Sequence, residues 1–577
     1  MRYLPPMQPR WQIKKPDPRV TGTIRHSTGC HRAMAAVLAN RHLTSNRAIN
    51  DFLQPRLADL AAPDSLEGLE TASDRIHRAL INKEKILIIG DYDVDGITST
   101  ALLADFLTLA GGNVSYHLPH RLKEGYGFQP AHVTQVAVPR KAGLIITVDC
   151  GISSNEAVET ARRFGIDTVI TDHHSCSDDL PAALAVVNPK CGHDGHPLHP
   201  LAGVGVAFYL AIGLRKHLRE QNWWNRRPEP NLKEFCDLVA LGTVADMVSL
   251  LGVNRILVKS GLEQLNRSPR PGLARLMDAC GIQQGKLSAE DISFRLAPRI
   301  NAAGRVAHPG AAMALLRAAG EGEAHHAAET LCSLNARRQT IEQQILDEID
   351  LRLERHPFML EGNCLVMAGD GWHPGVIGIV AAKLANRYFK PVIIIGVENG
   401  VGKGSARSVP GLDIYKALQR CAPVLDRFGG HSMAAGLTVS SSNIGRLQAA
   451  FEEAVEKLEA GENSGPAVDI DCELDFAEIT PRLIEELESL QPYGVGNPAP
   501  LFMARKVVAK ECVTIGRRHL KMRLCQPAKG DRVIEAIQFN LQKQAHGQIA
   551  FEKIAYRLQK RYYNGKVSVQ AVVENSI

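Results

Sequence analysis

The sequence lacks the features that mark a membrane, secreted or zinc-finger protein. No apolar run approaches the roughly 20 residues that a membrane-spanning helix needs. The first 15 residues contain neither an apolar core nor a small-residue cleavage site, so we predict no signal peptide. The 12 cysteines are scattered without a CxxC pair, which is typical of reduced, mostly buried thiols in the cell interior. We therefore expect a cytoplasmic protein without membrane association.

Length and charge indicate several domains, one of them basic. A chain of 577 residues is too long for one core and should divide into about three or four domains. Residues 503–566 contain 15 Lys and Arg against four acidic residues, a balance of +11 in a chain of net charge +6, so the rest sums to −5. Basic residues alternate there with aromatic and apolar ones. On strands they would form an exposed face suited to single-stranded nucleic acid, although such runs are often only a solvated surface.

The order of apolar segments predicts the architecture. Residues 85–247 alternate short apolar segments with helical ones, the pattern of a parallel sheet with helices on both faces. A polar helical run follows over 322–355 and predicts a connecting helix. A second α/β unit begins near residue 363 and ends near 461 in a small-residue and acidic linker. The short alternating strands beyond the linker resemble those of oligonucleotide-binding (OB) barrels.

Four apolar segments in the first half each end in metal-type ligands. These segments are IIGDYDVDG, LIITVDCG, VITDHH and LVALGTVAD. The residues that they deliver are Asp91, Asp93, Asp95, Asp149, Asp172, His173, His174 and Asp246. Because ligands bind beyond the carboxyl ends of parallel strands, we expect these side chains to meet in space.

Such a cluster suits the hydrolysis of a phosphate ester. Two divalent cations activate a water and stabilise charge on the reacting oxygens. Carboxylates alone would favour Mg²⁺, and a histidine among them shifts the preference towards Mn²⁺. Each cluster by itself has another explanation, because an aspartate after a strand often caps a helix. Asp95 could cap the helical run that follows it, and Asp172 could cap its own turn. The recurrence of the pattern favours metal binding.

These motifs resemble, in order, those of the DHH phosphoesterases: DYDVDG at 91–96, VDCG at 148–151, DHH at 172–174 and GTVAD at 242–246. Further segments are similar to the RecJ family, bacterial exonucleases that degrade single-stranded DNA from the 5′ end. They are RINAAGR at 299–305, WHPGVIG at 372–378, GGH at 429–431 with AAG at 434–436, and PYGVGNP at 492–498. The resemblance covers nearly the whole chain.

The resemblance implies an α/β fold class with a C-terminal barrel. An N-terminal extension and a parallel-sheet DHH phosphoesterase domain would occupy residues 1–320. A long helix over 321–355 would join it to a smaller α/β domain, DHHA1, over 356–460. An OB-fold nucleic-acid-binding domain would follow over 461–577.

The resemblance also implies roles at the metal centre. The metal ligands would be Asp93, Asp95, Asp149, His173 and Asp246, with Asp91 beside the first metal. Asp149 would bridge two Mn²⁺ or Mg²⁺ ions, and Asp93 and Asp149 count among the catalytic residues. His174 would face the scissile phosphate as an electrophilic or acid/base group, unless it only donates a hydrogen bond behind the ligands.

Substrate contacts are implied on both α/β domains. Arg121, Ser405 and Arg407 would recognise a 5′-phosphate, because the planar guanidinium binds phosphate through two hydrogen bonds. The Gly-rich segments at 402–408 and 429–431 suit close approach of backbone N–H groups to phosphate, although either could be a plain tight turn. The remaining candidate substrate-binding residues are Arg299, Asn301, Arg305, His373, Gly429, Gly430 and His431.

Three functions from different classes fit these observations. The first is a two-metal 5′-to-3′ exonuclease on single-stranded DNA, acting in recombination, repair and mismatch repair. The second is a DHH phosphodiesterase of cyclic dinucleotides or short oligonucleotides, a class that usually lacks a basic C-terminal domain. The third is a non-catalytic replication scaffold that has lost metal ligands. For the first, the family implies contact with the single-stranded-DNA-binding protein, cooperation with a repair helicase, and a monomer.

One cluster outside these motifs invites a zinc interpretation. Cys191, His193, His196 and His199 crowd a loop between two prolines. Zinc sites usually show paired ligands separated by a helix or hairpin, whereas here nine residues hold all four. We therefore interpret the segment as a surface loop.

Overall fold

The computed structural model describes residues 10–176, 178–192, 195–458, 467–515, 519–530, 532–539, 549–563 and 566–577. Within these ranges the chain forms two compact units. One contains residues 57–458, and the other combines residues 10–56 with residues from 467 to the C-terminus. In the described part of the chain, no helix is both long enough and apolar enough to cross a membrane.

The described residues form the following helices and strands. The helices are α1 (Pro18–Thr28), α2 (Arg32–Asn40), α3 (Asn46–Leu53), α4 (Leu69–Ile81), α5 (Val94–Leu109), α6 (Pro130–His132), α7 (Asn155–Arg163), α8 (Gly203–Glu220), α9 (Cys236–Ala245), α10 (Gly252–Arg267), α11 (Pro271–Ala279), α12 (Ala289–Asp291), α13 (Ala297–Val306), α14 (Gly310–Leu316), α15 (Glu321–Arg355), α16 (Ile377–Tyr388), α17 (Ile414–Arg420), α18 (Ile444–Leu458) and α19 (Pro481–Ser489). The strands are β1 (Arg10–Ile13), β2 (Lys85–Ile89), β3 (Asn113–His117), β4 (Leu144–Val148), β5 (Asp167–Thr171), β6 (Ala185–Val187), β7 (Leu365–Asp370), β8 (Val392–Glu398), β9 (Val401–Arg407), β10 (Arg427–His431), β11 (Ala434–Ser440), β12 (Ala467–Ile470), β13 (Cys472–Glu473), β14 (Phe502–Ile515), β15 (His519–Cys525), β16 (Val533–Gln538), β17 (Ile549–Tyr563) and β18 (Lys566–Ser576).

The first α/β domain contains the predicted parallel sheet, in the order β3-β2-β4-β5-β6. Alternate residues of β2 enter two cores: Ile86 and Ile88 face one, and Leu87 and Ile89 face the other. Covering of both faces explains why these strands are continuous apolar runs. The strand order reverses between β2 and β4, and this is the place where open α/β sheets bind ligands.

The expectation that all four acidic clusters end strands is wrong for the fourth. The segment before Asp246 is helix α9, and Asp246 is the residue that ends it. Nearly every residue of α9 is buried, so its apolar run has no exposed face to reveal a helical period. Periodicity alone does not separate a buried helix from a buried strand.

Helix α15 confirms the predicted connecting helix, and a second sheet follows in the order β10-β11-β9-β8-β7. The Gly-rich segment at 402–408 lies mainly in strand β9, so the alternative of a plain tight turn is wrong for it, while close approach of its backbone N–H groups to phosphate stays a prediction. A Cβ atom at Gly404 would lie 2.6 Å from Leu437 Cδ1, so packing between strands explains that glycine. Segment 429–431 lies in β10, at the edge of the sheet.

The C-terminal domain is the expected OB-like barrel. Five strands pair in the order β14, β15, β16, β18 and β17. Strand β17 also pairs with β14, which closes the five strands into a barrel. Residues 10–56, grouped with the DHH domain in the sequence analysis, belong to this unit instead. Ile24, Leu38 and Phe52 of the N-terminal helices share a core with Leu483 and Phe502, and β1 pairs with β12. A local reading of the sequence does not show this pairing, because residues 10–13 and 467–470 lie at opposite ends of it.

The expected basic and aromatic face of the barrel needs correction. Tyr556 is fully buried, and its hydroxyl donates a hydrogen bond to the Leu474 carbonyl (2.7 Å). A β-bulge between Ala555 and Tyr556 breaks the alternation on which the expectation rested. The side chains of Tyr562 and Tyr563 lie outside the described residues. Exposed Lys506 and Lys510 form no ion pair with any acidic residue that the structure describes.

The expectation of reduced cysteines fails at one pair. A disulfide joins Cys176 and Cys191, whose Cα atoms lie 5.4 Å apart. The ten other cysteines are free, and five of them are buried. Cys191 is therefore not available to zinc, and His196 Nε2 lies 2.9 Å from the Ser65 carbonyl oxygen. His193 lies outside the described residues. The pair escapes sequence inspection because 15 positions separate its members.

Candidate active site

The loop after β2 brings two aspartates onto the start of α5. Asp93 is the N-cap of the helix, and its carboxylate accepts a hydrogen bond from the Gly96 N–H (3.1 Å). Asp95 is fully buried in the first turn. Its two oxygens accept hydrogen bonds from the Gly203 and Val204 N–H groups at the start of α8 (2.7 and 2.8 Å). Both aspartates thus cap helices, and the arrangement fixes their carboxylates at the sheet edge.

Asp149 follows β4 in a backbone conformation that few residues adopt. Its φ is 58°, in the left-handed region, and its N–H donates to the Thr171 carbonyl on the neighbouring strand (3.0 Å). The carboxylate packs against the start of α8, where a Cβ atom at Gly203 would lie 2.5 Å from Asp149 Oδ1. Only glycine fits there, so Gly203 allows the approach that places Asp149 among the other ligands.

The DHH motif follows β5, and its aspartate has a different role from its two histidines. Asp172 accepts hydrogen bonds from the backbone N–H groups of Ile152, His173 and His174 (3.0, 2.7 and 3.1 Å). It also lies 2.7 Å from His174 Nδ1. Asp172 therefore orients the two histidines and is not placed among the groups that could hold a metal ion.

Among the described residues, four groups of three side chains have ligand atoms within 4.8 Å of one another. One consists of His117, Glu124 and His132, and the other three are formed by residues of the acidic motifs. These three are Asp91 with Asp93 and Asp149; Asp149 with His173 and His174; and Asp95 with His173 and Asp246. His173 Nε2 lies 3.1 Å from Asp149 Oδ1, 3.7 Å from Asp246 Oδ2 and 3.9 Å from Asp95 Oδ2. The sequence-predicted ligands thus meet at one place, and Asp149 belongs to two groups.

The electrostatics of the centre favour cation binding, because buried carboxylates crowd together there. Burial, followed by repulsion from neighbouring carboxylates, raises the pKa values of Asp95 and Asp149 well above the usual range. Burial likewise raises the pKa of Asp246 to about 7. Burial lowers the pKa of His173 to about 3, which keeps the imidazole in the neutral, metal-binding form.

Orphaned polar atoms fit the same conclusion. Asp149 Oδ1, Asp91 Oδ1 and both ring nitrogens of His173 are buried without a hydrogen-bond partner among the described residues. Buried polar atoms normally have partners, and His173 Nε2 and Asp149 Oδ1 lie 3.1 Å apart without forming a hydrogen bond of good geometry, so these atoms are free to bind a cation. Carboxylate oxygens with one imidazole form a donor set suited to two divalent cations such as Mn²⁺ or Mg²⁺.

His174 stands beside the ligands with its imidazole held from two sides. The Tyr126 hydroxyl lies 3.3 Å from both ring nitrogens, and Asp172 binds Nδ1. Burial alone would lower the pKa of His174, but the hydrogen bond to Asp172 raises it above its ordinary value. The imidazole is therefore suited to donate a proton or a hydrogen bond to an anion.

Arginines from both α/β domains converge near the carboxylates. Burial, together with the charges of Arg121, Arg338 and Arg407, lowers the pKa of Arg305 to about 10. The Arg121 guanidinium stacks over the Tyr92 ring, 4.9 Å from its centroid. Arg305 donates a hydrogen bond to the Gly375 carbonyl (3.3 Å). Like charges crowd together in this way where an anion is to be bound.

Helix α13 packs against the segment that carries Asp91, Asp93 and Asp95. The Asn301 carboxamide oxygen accepts a hydrogen bond from the Val94 N–H (3.2 Å), and a Cβ atom at Gly304 would lie 2.5 Å from the Tyr92 carbonyl. Arg299 donates to the Arg295 carbonyl (2.6 Å), while its Nε is buried without a partner among the described residues. Asn301 is therefore engaged with protein backbone.

The remaining candidates lie in the DHHA1 domain. Ser405 accepts a hydrogen bond from Arg407 (3.0 Å), and the Gly375 N–H donates to His373 Nδ1 (3.1 Å). Gly429, Gly430 and His431 are exposed on edge strand β10, with open space beside Gly429. Tyr126 and Arg338 also belong to this site, although neither is among the sequence-predicted residues. Tyr126 carried a usable signal, because it stands between Gly125 and Gly127 in the segment that supplies Arg121.

Comparison with known proteins matches all three domains. The DHH family, N-terminal domain, matches residues 85–243; the DHHA1 domain matches 361–457; and the RecJ OB domain matches 470–575. The single-stranded-DNA-specific exonuclease RecJ of Escherichia coli (strain K12) is 39% identical over 552 residues, which are 93% of this chain and 95% of that protein. The RecJ of Bacillus subtilis (strain 168) is 35% identical, over 89% of this chain and 64% of that longer protein.

Solved structures agree with these matches. The crystal structure of RecJ in complex with Mn²⁺ from Thermus thermophilus has a TM-score of 0.82 at 29% identity and covers 98% of this chain and 79% of that one. The Mg²⁺ complex from the same organism has a TM-score of 0.76 at 28% identity, over 98% and 78% of the two chains. With the same three domains and identity extending over nearly its full length, the chain belongs to the RecJ family of DHH phosphoesterases.

Proposed function

We propose that this protein is a two-metal exonuclease that hydrolyses single-stranded DNA from the 5′ end and releases mononucleotides. One observation carries the proposal: Asp149 belongs both to the group with Asp91 and Asp93 and to the group with His173 and His174. A carboxylate shared in this way can bridge two cations. The relatives named above are single-stranded-DNA-specific exonucleases, and every ligand position is filled here. Neither a dinucleotide phosphodiesterase nor a scaffold is supported by a comparable observation.

Different residues of the chain would hold the cations, orient His174 and donate a proton or a hydrogen bond. The proposed ligands are Asp91, Asp93, Asp95, Asp149, His173 and Asp246. Bound Mn²⁺ or Mg²⁺ would supply an acidified water and stabilise charge on the reacting oxygens. Asp172 orients His174, whose imidazole would donate a hydrogen bond or a proton to the scissile phosphate.

The arginine cluster supports recognition of a 5′-phosphate. Arg121 and Arg407 lie on separate domains, and the charges of both act on Arg305. A terminal phosphate carries more charge than an internal phosphodiester and would relieve this repulsion best. Ser405, bound to Arg407, would add a hydroxyl donor. His373, Arg299, Asn301, Gly429, Gly430 and His431 remain proposed contacts of the following nucleotides.

Substitution of Arg121 tests this pocket. Arg121→Ala should remove the preference for 5′-phosphorylated over 5′-hydroxyl strands, lowering the rate on the phosphorylated strand roughly 10- to 100-fold, as expected for one charge-assisted hydrogen bond. Initial rates on the two strands measure it. Lys123→Ala, two residues along the same loop and exposed, is the control and should retain the preference. An equal loss on both strands would remove Arg121 from the 5′ pocket.

We expect the barrel to bind the phosphate backbone of the single strand. Substitution of exposed lysines on β14 tests this contact. Lys506→Gln with Lys510→Gln should weaken binding of long single strands and flatten the dependence of log K on log salt by about 0.7 for each phosphate that the barrel no longer neutralises. Fluorescence anisotropy at several salt concentrations measures the slope. Lys141→Gln with Lys233→Gln, on the other unit, should leave it unchanged. An unaltered slope in the barrel variant would show that β14 does not contact DNA.

The cellular setting follows from the proposed activity. A 5′-to-3′ exonuclease on single strands would act in DNA recombination, repair and mismatch repair, in the cytoplasm, as a monomer. It would follow a repair helicase that separates the strands and contact the single-stranded-DNA-binding protein that covers them. The proposed domain limits are 1–320, 321–355, 356–460 and 461–577, except that residues 10–56 belong to the unit that contains the barrel.

Digestion of a 3′-labelled single strand tests the function itself. The purified protein should shorten the strand from the 5′ end with Mn²⁺ or Mg²⁺ and leave it intact with EDTA. Duplex DNA of the same sequence should persist. An intact single strand under all metal conditions would redirect the search to dinucleotide substrates.

A further inference from the structure

The loop after the DHH motif is tied to a second loop by a bond that the catalytic chemistry does not use. Cys176 stands two residues beyond His174, and its disulfide partner Cys191 follows β6 on the neighbouring strand of the sheet. Both cysteines are partly exposed, so a small thiol or disulfide in solution can reach them. The bond therefore lies where solution redox conditions can act on it.

The second loop contacts the catalytic histidine directly. Asn188 Nδ2 donates a hydrogen bond to the His174 carbonyl oxygen (2.9 Å), and the Asn188 carboxamide oxygen accepts one from the Lys190 N–H (2.9 Å). Lys190 immediately precedes Cys191, and its positive charge acts on Asp246 and His173. The segment from Asn188 to Cys191 thus places an amide against His174 and a cation beside two metal ligands.

The disulfide and the Asn188–His174 hydrogen bond link the same two loops. The disulfide closes a loop of 15 residues, and the Asn188–His174 hydrogen bond crosses the same gap. A closed loop has fewer alternative conformations, so the disulfide should favour the arrangement in which this hydrogen bond is made. Without the disulfide, only non-covalent contacts hold the two loops together.

We propose that Cys176 and Cys191 form a redox-sensitive clamp that raises activity when oxidised by fixing His174 and Lys190. Glutathione disulfide is a suitable oxidant class. One cysteine thiolate attacks it to form a mixed disulfide and releases one glutathione. The second cysteine then displaces the second glutathione, so two protein thiols are oxidised while one glutathione disulfide is reduced to two thiols. The clamp would make the enzyme most active under oxidising conditions.

The test separates the clamp from the proposed nuclease activity, on which its functional part rests. The full-length protein is equilibrated in glutathione buffers of graded potential, and free Cys176 and Cys191 are counted by alkylation and mass spectrometry. Exchange of amide hydrogens over residues 172–176 and 185–191 is measured in the same samples. We expect the pair to oxidise reversibly and exchange in both segments to slow on oxidation. These two readouts do not require DNA hydrolysis.

Activity is then compared in the same buffers. Oxidised wild type should cleave roughly fivefold or more faster than reduced wild type, a typical coupling between two sites. Cys176→Ser and Cys191→Ser should each match the reduced wild type at every potential, and Cys332→Ser in α15 should respond like wild type. Equal exchange and equal rates in the two states would overturn the clamp, as would failure of the pair to oxidise. Slower exchange without a change in rate would overturn the proposed effect on activity and make the disulfide a purely structural bond.

Discussion

Asp149→Asn should abolish the nuclease activity, with a loss of roughly 10³-fold or more, because several kcal/mol of transition-state stabilisation depend on the cations that this carboxylate would bridge. Asparagine is close to aspartate in size, so the packing against Gly203 and the hydrogen bond from the backbone N–H should survive. The negative charge alone is removed. Single-turnover cleavage of a 5′-phosphorylated strand at saturating Mn²⁺ measures the loss.

Metal content distinguishes this result from misfolding. The variant should bind fewer Mn²⁺ ions per chain while its circular dichroism matches the wild type. Asp178→Asn, an exposed carboxylate just beyond the DHH motif, is the matched control and should retain full activity. Unchanged cleavage by the Asp149 variant would contradict the two-metal centre, since no other carboxylate among the described residues belongs to two of the three groups at the sheet edge.

His174→Ala should lower the cleavage rate by roughly 10²- to 10⁴-fold, the range over which a positioned proton donor contributes. The loss should appear in the single-turnover rate, with little change in the affinity for single strands. Mn²⁺ content should stay near the wild-type value, because His173 and the carboxylates are untouched. A parallel fall in metal content would make His174 a ligand and not a proton donor.

Asp172→Asn provides the companion measurement. The carboxamide of this variant would keep one oxygen for the backbone N–H groups of His173 and His174, but the charge that raises the pKa of His174 would be gone. We expect a smaller loss, roughly 10- to 100-fold, as is typical when an outer-shell partner is removed. Because the pKa of His174 would fall, the rate should also decline at a lower pH than in the wild type. An identical pH profile would show that Asp172 holds the ring without tuning it.

Much of the candidate site could be predicted because one rule governs it. Parallel strands place their carboxyl ends at one edge, so Asp91, Asp93, Asp149 and His173 had to meet once the strands were identified. Asp246 arrives at the same place from the end of a helix, where the apolar run gave no period to distinguish helix from strand. The sequence pattern therefore identified Asp246 as a candidate ligand but wrongly predicted that it follows a strand.

Residues that act through contacts distant in sequence could not be found in this way. Arg338 lies on the connecting helix and joins the arginine cluster only after the two α/β domains fold together. Tyr556 follows the strand pattern but is turned into the core by a bulge that leaves no clear mark in the sequence. The Cys176–Cys191 bond depends on two loops that leave adjacent strands.

The pairing of residues 10–56 with the C-terminal barrel has a consequence for synthesis. The catalytic unit is, in topological terms, an insertion of roughly 410 residues into a domain whose two halves lie at opposite ends of the chain. At about 5–20 residues per second, the apolar faces of α1, α2 and α3 wait roughly 20–80 s on the ribosome before their partner strands emerge. During that interval Ile24, Leu38 and Phe52 have no core to enter. The nascent chain is therefore most exposed to aggregation and chaperone capture at its beginning, and the barrel closes only after the catalytic unit has been made.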